Sequence, residues 1–88
     1  MQIGKFYMSD QHHLCLYPDK KSAVEVEEES GYNHPYFWSQ KLGKPVDYIK
    51  KCVPFLVLHK DRTIVEVLVG ERKGFILYRK WIIFKELI

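Results

Sequence analysis

Cysteine is scarce in this sequence, and long apolar runs are missing. Its 88 residues contain two cysteines, Cys15 and Cys52, whereas a secreted scaffold of this size usually depends on several disulfides. We therefore expect two reduced, buried thiols, and a single disulfide between them is the alternative. No segment approaches the ~18 apolar residues that a membrane-spanning helix needs, and the N-terminus lacks the apolar stretch of a signal peptide. These absences predict a cytoplasmic protein with no membrane partner.

Recognisable catalytic and metal-binding motifs are also missing. There is no glycine-rich phosphate loop, and the acidic cluster at residues 25–29 is typical of a solvated edge. His13 and Cys15 are two residues apart, so on a strand they would face the same side and could chelate a metal. The Cys-x-x-Cys and His-x(3–5)-His pairs typical of zinc sites are absent, however. We therefore predict no enzymatic activity, no metal and no cofactor.

The net charge is small, +3 at pH 7, and does not mark a dedicated nucleic-acid-binding protein. It is unevenly distributed, because residues 1–44 contain five lysines and six acidic residues, whereas residues 45–88 contain nine basic and five acidic residues. The C-terminal half therefore predicts a mildly basic face. Hydrophobic residues make up 47% of the chain and aromatic residues 15%, which is enough for one compact core.

Short apolar segments predict a mainly β chain. The clearest is residues 63–69, which are rich in β-branched side chains and poor in helix formers. Gly70 and Gly74 bracket the charged residues that follow, which predicts a hairpin turn. Pro35 predicts the start of a short helix that ends at Gly43. Six further strands are predicted, at residues 3–8, 13–17, 23–27 (an edge strand), 55–58, 75–78 and 82–84.

The pattern from about residue 14 to residue 87 resembles the Src-homology-3 (SH3) barrel. Leu14-Cys15-Leu16-Tyr17 is similar to the Ala-Leu-Tyr opening of that family, and residues 70–74 are similar to its distal hairpin. Gly74-Phe75-Ile76 is similar to the Gly-Tyr-Val that enters the fourth strand. Arg79-Lys80-Trp81 would fill the single helical turn before the last strand.

The length of the chain predicts a single domain over residues 1–88, and the resemblance implies its fold. It would be a small antiparallel barrel with a long first loop, residues 19–46, that carries the short helix. A closed barrel would remove the exposed strand edges that otherwise promote aggregation. An open antiparallel sheet with one helix across it is the alternative.

In SH3 domains that bind proline-rich peptides, the prolines pack into an aromatic groove. The resemblance implies that Tyr17 and Trp81 would supply two groove aromatics. Ile64 or Val65 stands where the family has a tryptophan, and Leu77 stands where it has a proline. These departures disfavour proline-peptide binding.

Aromatic residues are concentrated in the predicted long loop. Clusters of tyrosine and tryptophan anchor many protein interfaces, so we predict a non-enzymatic module that binds another protein through such a surface. The composition also looks like that of small bacteriophage or bacterial proteins that bind host factors. If the loop folds back, the same residues would instead form a lid on the core. The predicted partner-binding residues are Tyr32, Tyr36, Phe37 and Trp38 of the loop, with Tyr17 and Trp81.

Two other kinds of partner remain open. Basic residues at predicted turns and strand ends could form, with Tyr78 and Trp81, a surface for phosphates and stacked bases. These nucleic-acid-binding candidates are Lys60, Arg62, Arg72, Lys73, Arg79 and Lys80. The C-terminal segment, residues 82–88, is more apolar than one barrel edge needs, so it could mediate homo-oligomerisation.

Overall fold

The computed structural model describes residues 1–30, 39–43 and 47–88. Within these ranges the chain is mainly β, with antiparallel pairing throughout, as predicted. The named elements, in chain order, are β1 (Phe6–Met8), β2 (Leu14–Leu16), α1 (Lys20–Ser30), β3 (Asp47–Ile49), β4 (Phe55–Asp61), β5 (Ile64–Val69), β6 (Arg72–Leu77) and β7 (Lys85–Leu87).

The strands form two sheets. The larger has the order β6-β5-β4-β1-β7, and the smaller contains β2 and β3. The two sheets are joined by one isolated β-bridge, in which Tyr17 and Phe75 exchange two backbone hydrogen bonds of 2.8 Å. One pair is not a ladder, so the described residues do not close into the predicted barrel. They are closer to the alternative, because α1 lies across an open antiparallel sheet, but the strands form two sheets and not one.

The second correction concerns residues 23–27, which are helical and not an edge strand. Asp19 caps the helix, because its Oδ1 accepts a 2.7 Å hydrogen bond from the Ser22 N–H. Ser22, Val26 and Ser30 are spaced four residues apart and lie with Ala23 on the buried face. Two of the buried helix positions are serines, so the helical spacing of apolar residues was hidden. The alternation of apolar and acidic residues therefore suggested a strand.

Strands β4, β5 and β6 form a meander joined by two-residue turns. Asp61 pairs with Ile64 across the first turn, and Val69 pairs with Arg72 across the second. Gly70 has a φ of +60° at the first central position of its turn, where glycine is favoured in type II′ hairpins. Gly74 does not belong to the turn, since it lies inside β6 opposite Val67. The predicted hairpin is therefore present, but its turn is shorter than the spacing of the two glycines suggested.

The apolar side chains form two adjoining cores. The main core lies between the two sheets and includes Tyr7, Leu14, Ile49, Phe55 and Val67. The second core lies beneath α1. Its buried members are Tyr17, Ala23, Val26, Ile64 and Leu77, and Phe75 packs against them.

The two predicted helical turns have different outcomes. Residues 39–41 are helical, and Gly43 follows with a φ of +66°, so the end of the short helix is as predicted; its start at Pro35 lies outside the described residues. A turn follows Arg79, whose carbonyl accepts a 3.1 Å hydrogen bond from the Ile82 N–H. The last strand begins only at Lys85, three residues later than predicted. None of the helices described is long and apolar enough to cross a bilayer.

Candidate binding surfaces

The five-stranded sheet has one face against the β2–β3 sheet and an outer face turned away from it. Tyr7, Phe55 and Val67 point into the main core. Because side chains alternate along a strand, their neighbours Phe6, Leu56 and Leu68 point outward. Helix α1 covers one part of the outer face, over Ile64 and Leu77. The rest of that face is not covered by the helix.

The uncovered part of the outer face carries an apolar row across four neighbouring strands. Phe6 pairs with Leu87 on one side and with Leu56 on the other, and Leu56 pairs with Leu68. We call Leu87, Phe6, Leu56 and Leu68 the outer row. Phe6 is 49% exposed and Leu87 36% exposed, while Leu56 and Leu68 are half-buried. With strands ~4.8 Å apart, the row is about 14 Å long.

The two ends of the outer row differ in charge. Lys73 pairs with Leu68 and so lies directly beyond that end of the row. It forms no ion pair within the residues that the structure describes. At the other end Lys85 is two residues from Leu87, but its Nζ lies 2.6 Å from Asp10 Oδ2. The uncompensated positive charge is therefore at the Lys73 end.

A separate cleft opens beside the small sheet. Its volume is about 650 Å³, and its walls come from the β1–β2 connection and from β3 with the residues after it. Backbone contacts join the walls, since Cys15 pairs with Tyr48 and the Cys52 N–H donates a 2.8 Å hydrogen bond to the Ser9 carbonyl. The basic cleft, as we call it, is lined by His12, His13, Tyr48, Lys50 and Lys51.

A small recess of about 20 Å³ adjoins the basic cleft and shares His12, His13 and Cys15 with it. Trp81 forms its far wall and meets the His12 ring edge-on, with 5.4 Å between centroids. Burial raises the pKa of the Cys15 thiol, so this side chain is neutral at pH 7 and is a poor nucleophile. Cys15 and Cys52 are both free, and Cys52 is exposed instead of buried as predicted.

The predicted aromatic partner-binding residues do not form one described surface. Tyr32, Tyr36, Phe37 and Trp38 lie outside the described residues. Tyr17 is fully buried beneath α1, and its hydroxyl lies 2.6 Å from Ser39 Oγ. Burial also raises its pKa, so Tyr17 is a neutral core residue and not an accessible groove aromatic. Trp81 is 43% exposed and remains accessible.

The six predicted nucleic-acid-binding residues are also in different environments. Arg79 is only 6% exposed and pairs with Glu27, so its charge is not available to phosphates and that prediction is corrected. Arg72 pairs with Asp47, and Lys60 donates to the Met1 carbonyl. The other three, Arg62, Lys73 and Lys80, are exposed.

Sequence reasoning missed both surfaces. The continuous apolar run at residues 55–58 was a signal for the outer row, because a strand with apolar residues on both faces needs cover on both. The basic cleft had no local signal, since Tyr48 and Cys15 are brought together only by strand pairing.

Within the described ranges, no three His, Cys, Asp or Glu side chains form a group that could hold a metal ion. Comparison with protein families, curated proteins and solved structures gives no match for this chain.

Proposed function

We propose that this chain is a non-enzymatic protein-binding module that docks an apolar segment of another protein on the outer row. The observation that carries the proposal is the half-covered outer face. Helix α1 packs over Ile64 and Leu77, whereas Phe6 and Leu87 remain exposed on the same face. Contiguous exposed apolar side chains of this kind mark interaction sites in soluble proteins.

The charge next to the outer row indicates the chemistry of the partner. Lys73 lies at one end with no ion pair among the described residues, and Lys85 at the other end is already paired with Asp10. A segment with apolar side chains on one face and an acidic group at one end would match this asymmetry. The acidic group would fix the direction of docking, because rim charges set orientation and association rate more than affinity.

The loop aromatics predicted from the sequence belong to the same proposal. Residues 31–38 follow directly after Ser30, the last residue of α1. Tyr32, Tyr36, Phe37 and Trp38 are proposed to widen the interface beyond the outer row, as aromatic anchors do elsewhere. Trp81 is proposed as a further accessible aromatic outside the outer row.

The SH3 resemblance is retained as a hypothesis. The residues likened to its distal hairpin and to the entry of its fourth strand lie in the turn between β5 and β6 and in β6, within an antiparallel meander of β4, β5 and β6. A turn at Arg79 precedes the last strand. The fold type alone does not indicate a ligand, because such small β domains serve many functions.

Peptide display against the purified chain tests the proposal. We expect selected peptides to combine two or three apolar residues with one acidic residue at an end. Replacing Phe6 and Leu87 by serine should weaken their binding at least tenfold. Lys73→Glu should weaken it mainly through a slower association rate. Because both apolar side chains are exposed, the double variant should still fold.

The matched control is Ile3→Ser with Ile83→Ser. Both isoleucines are exposed and lie outside the outer row, so this change should leave the affinity unchanged. The proposal fails if the selected peptides bind the Phe6/Leu87 variant as tightly as the original chain. It also fails if sedimentation shows a dimer that dissociates when Phe6 and Leu87 are replaced, because the outer row would then be occupied by a second copy.

A further inference from the structure

We propose that the basic cleft binds a nucleotide unit, with its phosphate on Lys50 and Lys51 and its base against the exposed aromatic side chains. This inference is independent of the outer row proposed for protein binding. The outer row lies on the larger sheet, whereas the basic cleft lies beside the smaller one. It also differs from the basic turns considered in the sequence, because none of the cleft lysines belongs to them.

The charge in the basic cleft is unbalanced. Among the described residues, the cleft is lined by two lysines and two histidines and by no carboxylate. The acidic residues that flank its walls are engaged elsewhere, since Asp10 pairs with Lys85 and Asp47 with Arg72. Lys50 and Lys51 have no acidic partner in the described part of the chain. Cations held together without counter-charges favour an anionic ligand.

The basic cleft is also partly preorganised. The Lys51 N–H donates a 3.3 Å hydrogen bond to His13 Nδ1. An Nδ1 that accepts this bond leaves the proton of the neutral ring on Nε2, so that Nε2–H is a hydrogen-bond donor. The same contact fixes the backbone of Lys51 next to the histidine. Three donors for an oxyanion, from His13, Lys50 and Lys51, are thus present in one cleft.

Aromatic side chains lie beside these hydrogen-bond donors. Tyr48 is 37% exposed and lines the cleft, and Trp81 is 43% exposed at the adjoining recess. Proteins that bind single strands combine basic side chains for the backbone with aromatic rings for the bases. An acidic peptide would use the lysines but would gain little from the two rings. A volume of about 650 Å³ lies within the usual range for small-ligand sites, and a nucleotide fits this size.

A ligand with a phosphate and a base could be a free nucleotide or a single-stranded nucleic acid. One titration distinguishes these two ligands. The probe protein carries Trp38→Phe, which leaves Trp81 as the only tryptophan. Its fluorescence is followed while thymidine monophosphate, a ten-nucleotide oligothymidine or inorganic phosphate is added at low salt. We expect quenching by the oligonucleotide, by the mononucleotide, or by both. Inorganic phosphate should give no comparable change.

Variants test the two halves of the cleft. Lys50→Glu with Lys51→Glu should weaken oligonucleotide binding at least tenfold and flatten its dependence on salt. Tyr48→Ala should weaken it by about 5- to 100-fold, as loss of one stacked base does. The control pair Lys5→Glu with Lys21→Glu makes the same change of charge at exposed lysines that do not line the cleft. It should weaken binding less than threefold.

Three results would overturn the proposal. One is the absence of any fluorescence or anisotropy change with either nucleotide probe at low salt. Another is equal binding of inorganic phosphate and nucleotides, which would reduce the cleft to an anion site without base stacking. The third is competition by an oligoglutamate peptide as strong as that of the oligonucleotide, which would identify an acidic protein segment as the ligand.

Discussion

Arg79 and Ser30 are joined by a 2.8 Å hydrogen bond from Arg79 Nη2 to the serine hydroxyl. The other terminal nitrogen, Nη1, donates to the carboxylate of Glu27. These bonds attach the segment after β6 to the last turn of α1. They therefore hold the helix over one part of the outer face and determine how much of that face remains exposed.

Removing the Arg79 side chain should be strongly destabilising. The guanidinium is almost fully buried and Glu27 is largely so, and breaking a buried ion pair by deleting one partner costs about 3–5 kcal/mol. We expect Arg79→Met to lower the free energy of unfolding by about this amount, measured by urea denaturation. Replacing Glu27 by glutamine in the same chain should restore part of the loss, because no unpaired carboxylate remains.

Arg62→Met is the control for this prediction, because it makes the same replacement at an exposed arginine and should change stability by under ~0.5 kcal/mol. Equal effects of the two substitutions would show that the Arg79 contacts contribute little. The Nε of Arg79 has no hydrogen-bond partner among the described residues, so part of the cost of burying the guanidinium is already present in the native chain.

Most of the strands could be predicted from the sequence, because the β4–β6 meander has strong local signals. Residues 63–69 are β-branched, and the turn at Gly70 needs a positive φ. Helix α1 could not be predicted in the same way. Its buried face includes Ser22 and Ser30. The buried hydroxyl of Ser30 accepts a hydrogen bond from Arg79, which is 49 residues away.

The candidate surfaces were harder to predict than the strands. The outer row depends on register, since Phe6, Leu56 and Leu87 come from three distant parts of the chain. The basic cleft depends on the pairing of β2 with β3, which puts Tyr48 opposite Cys15. Arg79 was predicted to be on the surface because it falls at a predicted turn, and its partner, Glu27, was assigned to an edge strand. Long-range pairing leaves no trace in local composition.

Gly74→Ala should destabilise the chain through a steric conflict with β2. A Cβ at this position would lie 2.6 Å from Leu16 Cδ1 and 2.9 Å from the Tyr17 carbonyl oxygen. Leu16 is buried and cannot move away freely, so we expect a loss of about 1–3 kcal/mol, as for other overpacked cores. Urea denaturation of the variant measures this loss.

A double-mutant cycle identifies the cause. Combining Gly74→Ala with Leu16→Ala should cost less than the sum of the two single changes, because the leucine methyl group is no longer in the way. Gly70→Ala is the control: its Cβ would meet nothing within 4 Å, so its cost arises from the positive φ and should add to that of Leu16→Ala. Additivity for Gly74 would contradict the proposed contact.

Cys52→Gly should leave stability unchanged or raise it by up to ~1 kcal/mol. Cys52 has a φ of +65°, and non-glycine residues are strained there by about 1–2 kcal/mol. The hydrogen bond from its backbone N–H to the Ser9 carbonyl does not depend on the side chain. Cys52→Val should destabilise the chain, and Cys15→Gly, in the middle of β2, should cost about 1 kcal/mol. A loss of stability in Cys52→Gly would contradict this account.

The two thiols should differ in their rates of modification. Cys52 is exposed, whereas Cys15 is half-buried with a pKa raised by burial, so less of it is thiolate at a given pH. With a disulfide-exchange reagent such as Ellman's reagent, the native chain should release one equivalent of the reagent's thiolate rapidly and a second equivalent slowly. Cys52→Ser should delete the rapid phase, and unfolding in urea should merge the two phases. A chain without free thiols would instead contain the alternative disulfide.

Acid should weaken the contacts that attach β7 and α1 to the sheet. Lys85 lowers the pKa of Asp10 below its ordinary value of 3.8, chiefly through a side-chain hydrogen bond, and Lys20 does the same for Asp61. A carboxyl group whose pKa is depressed by folding stabilises the native state above its unfolded pKa, and this contribution is lost as the pH falls through the native value. We therefore expect the urea midpoint to fall below about pH 4.

Asparagine variants test this pH dependence. Asp10→Asn and Asp61→Asn should lower the urea midpoint at pH 6, and the difference from the original chain should shrink as the pH is lowered to 2, because the original carboxyls take up protons as the pH falls. High salt at pH 6 should reduce the same difference, because both pairs are at the surface and are screened. Glu71→Gln, in the exposed turn between β5 and β6, is the control and should leave the midpoint unchanged at both pH values. A difference for Asp10→Asn that is the same at pH 2 as at pH 6 would mean that the ion pair with Lys85 does not stabilise the fold.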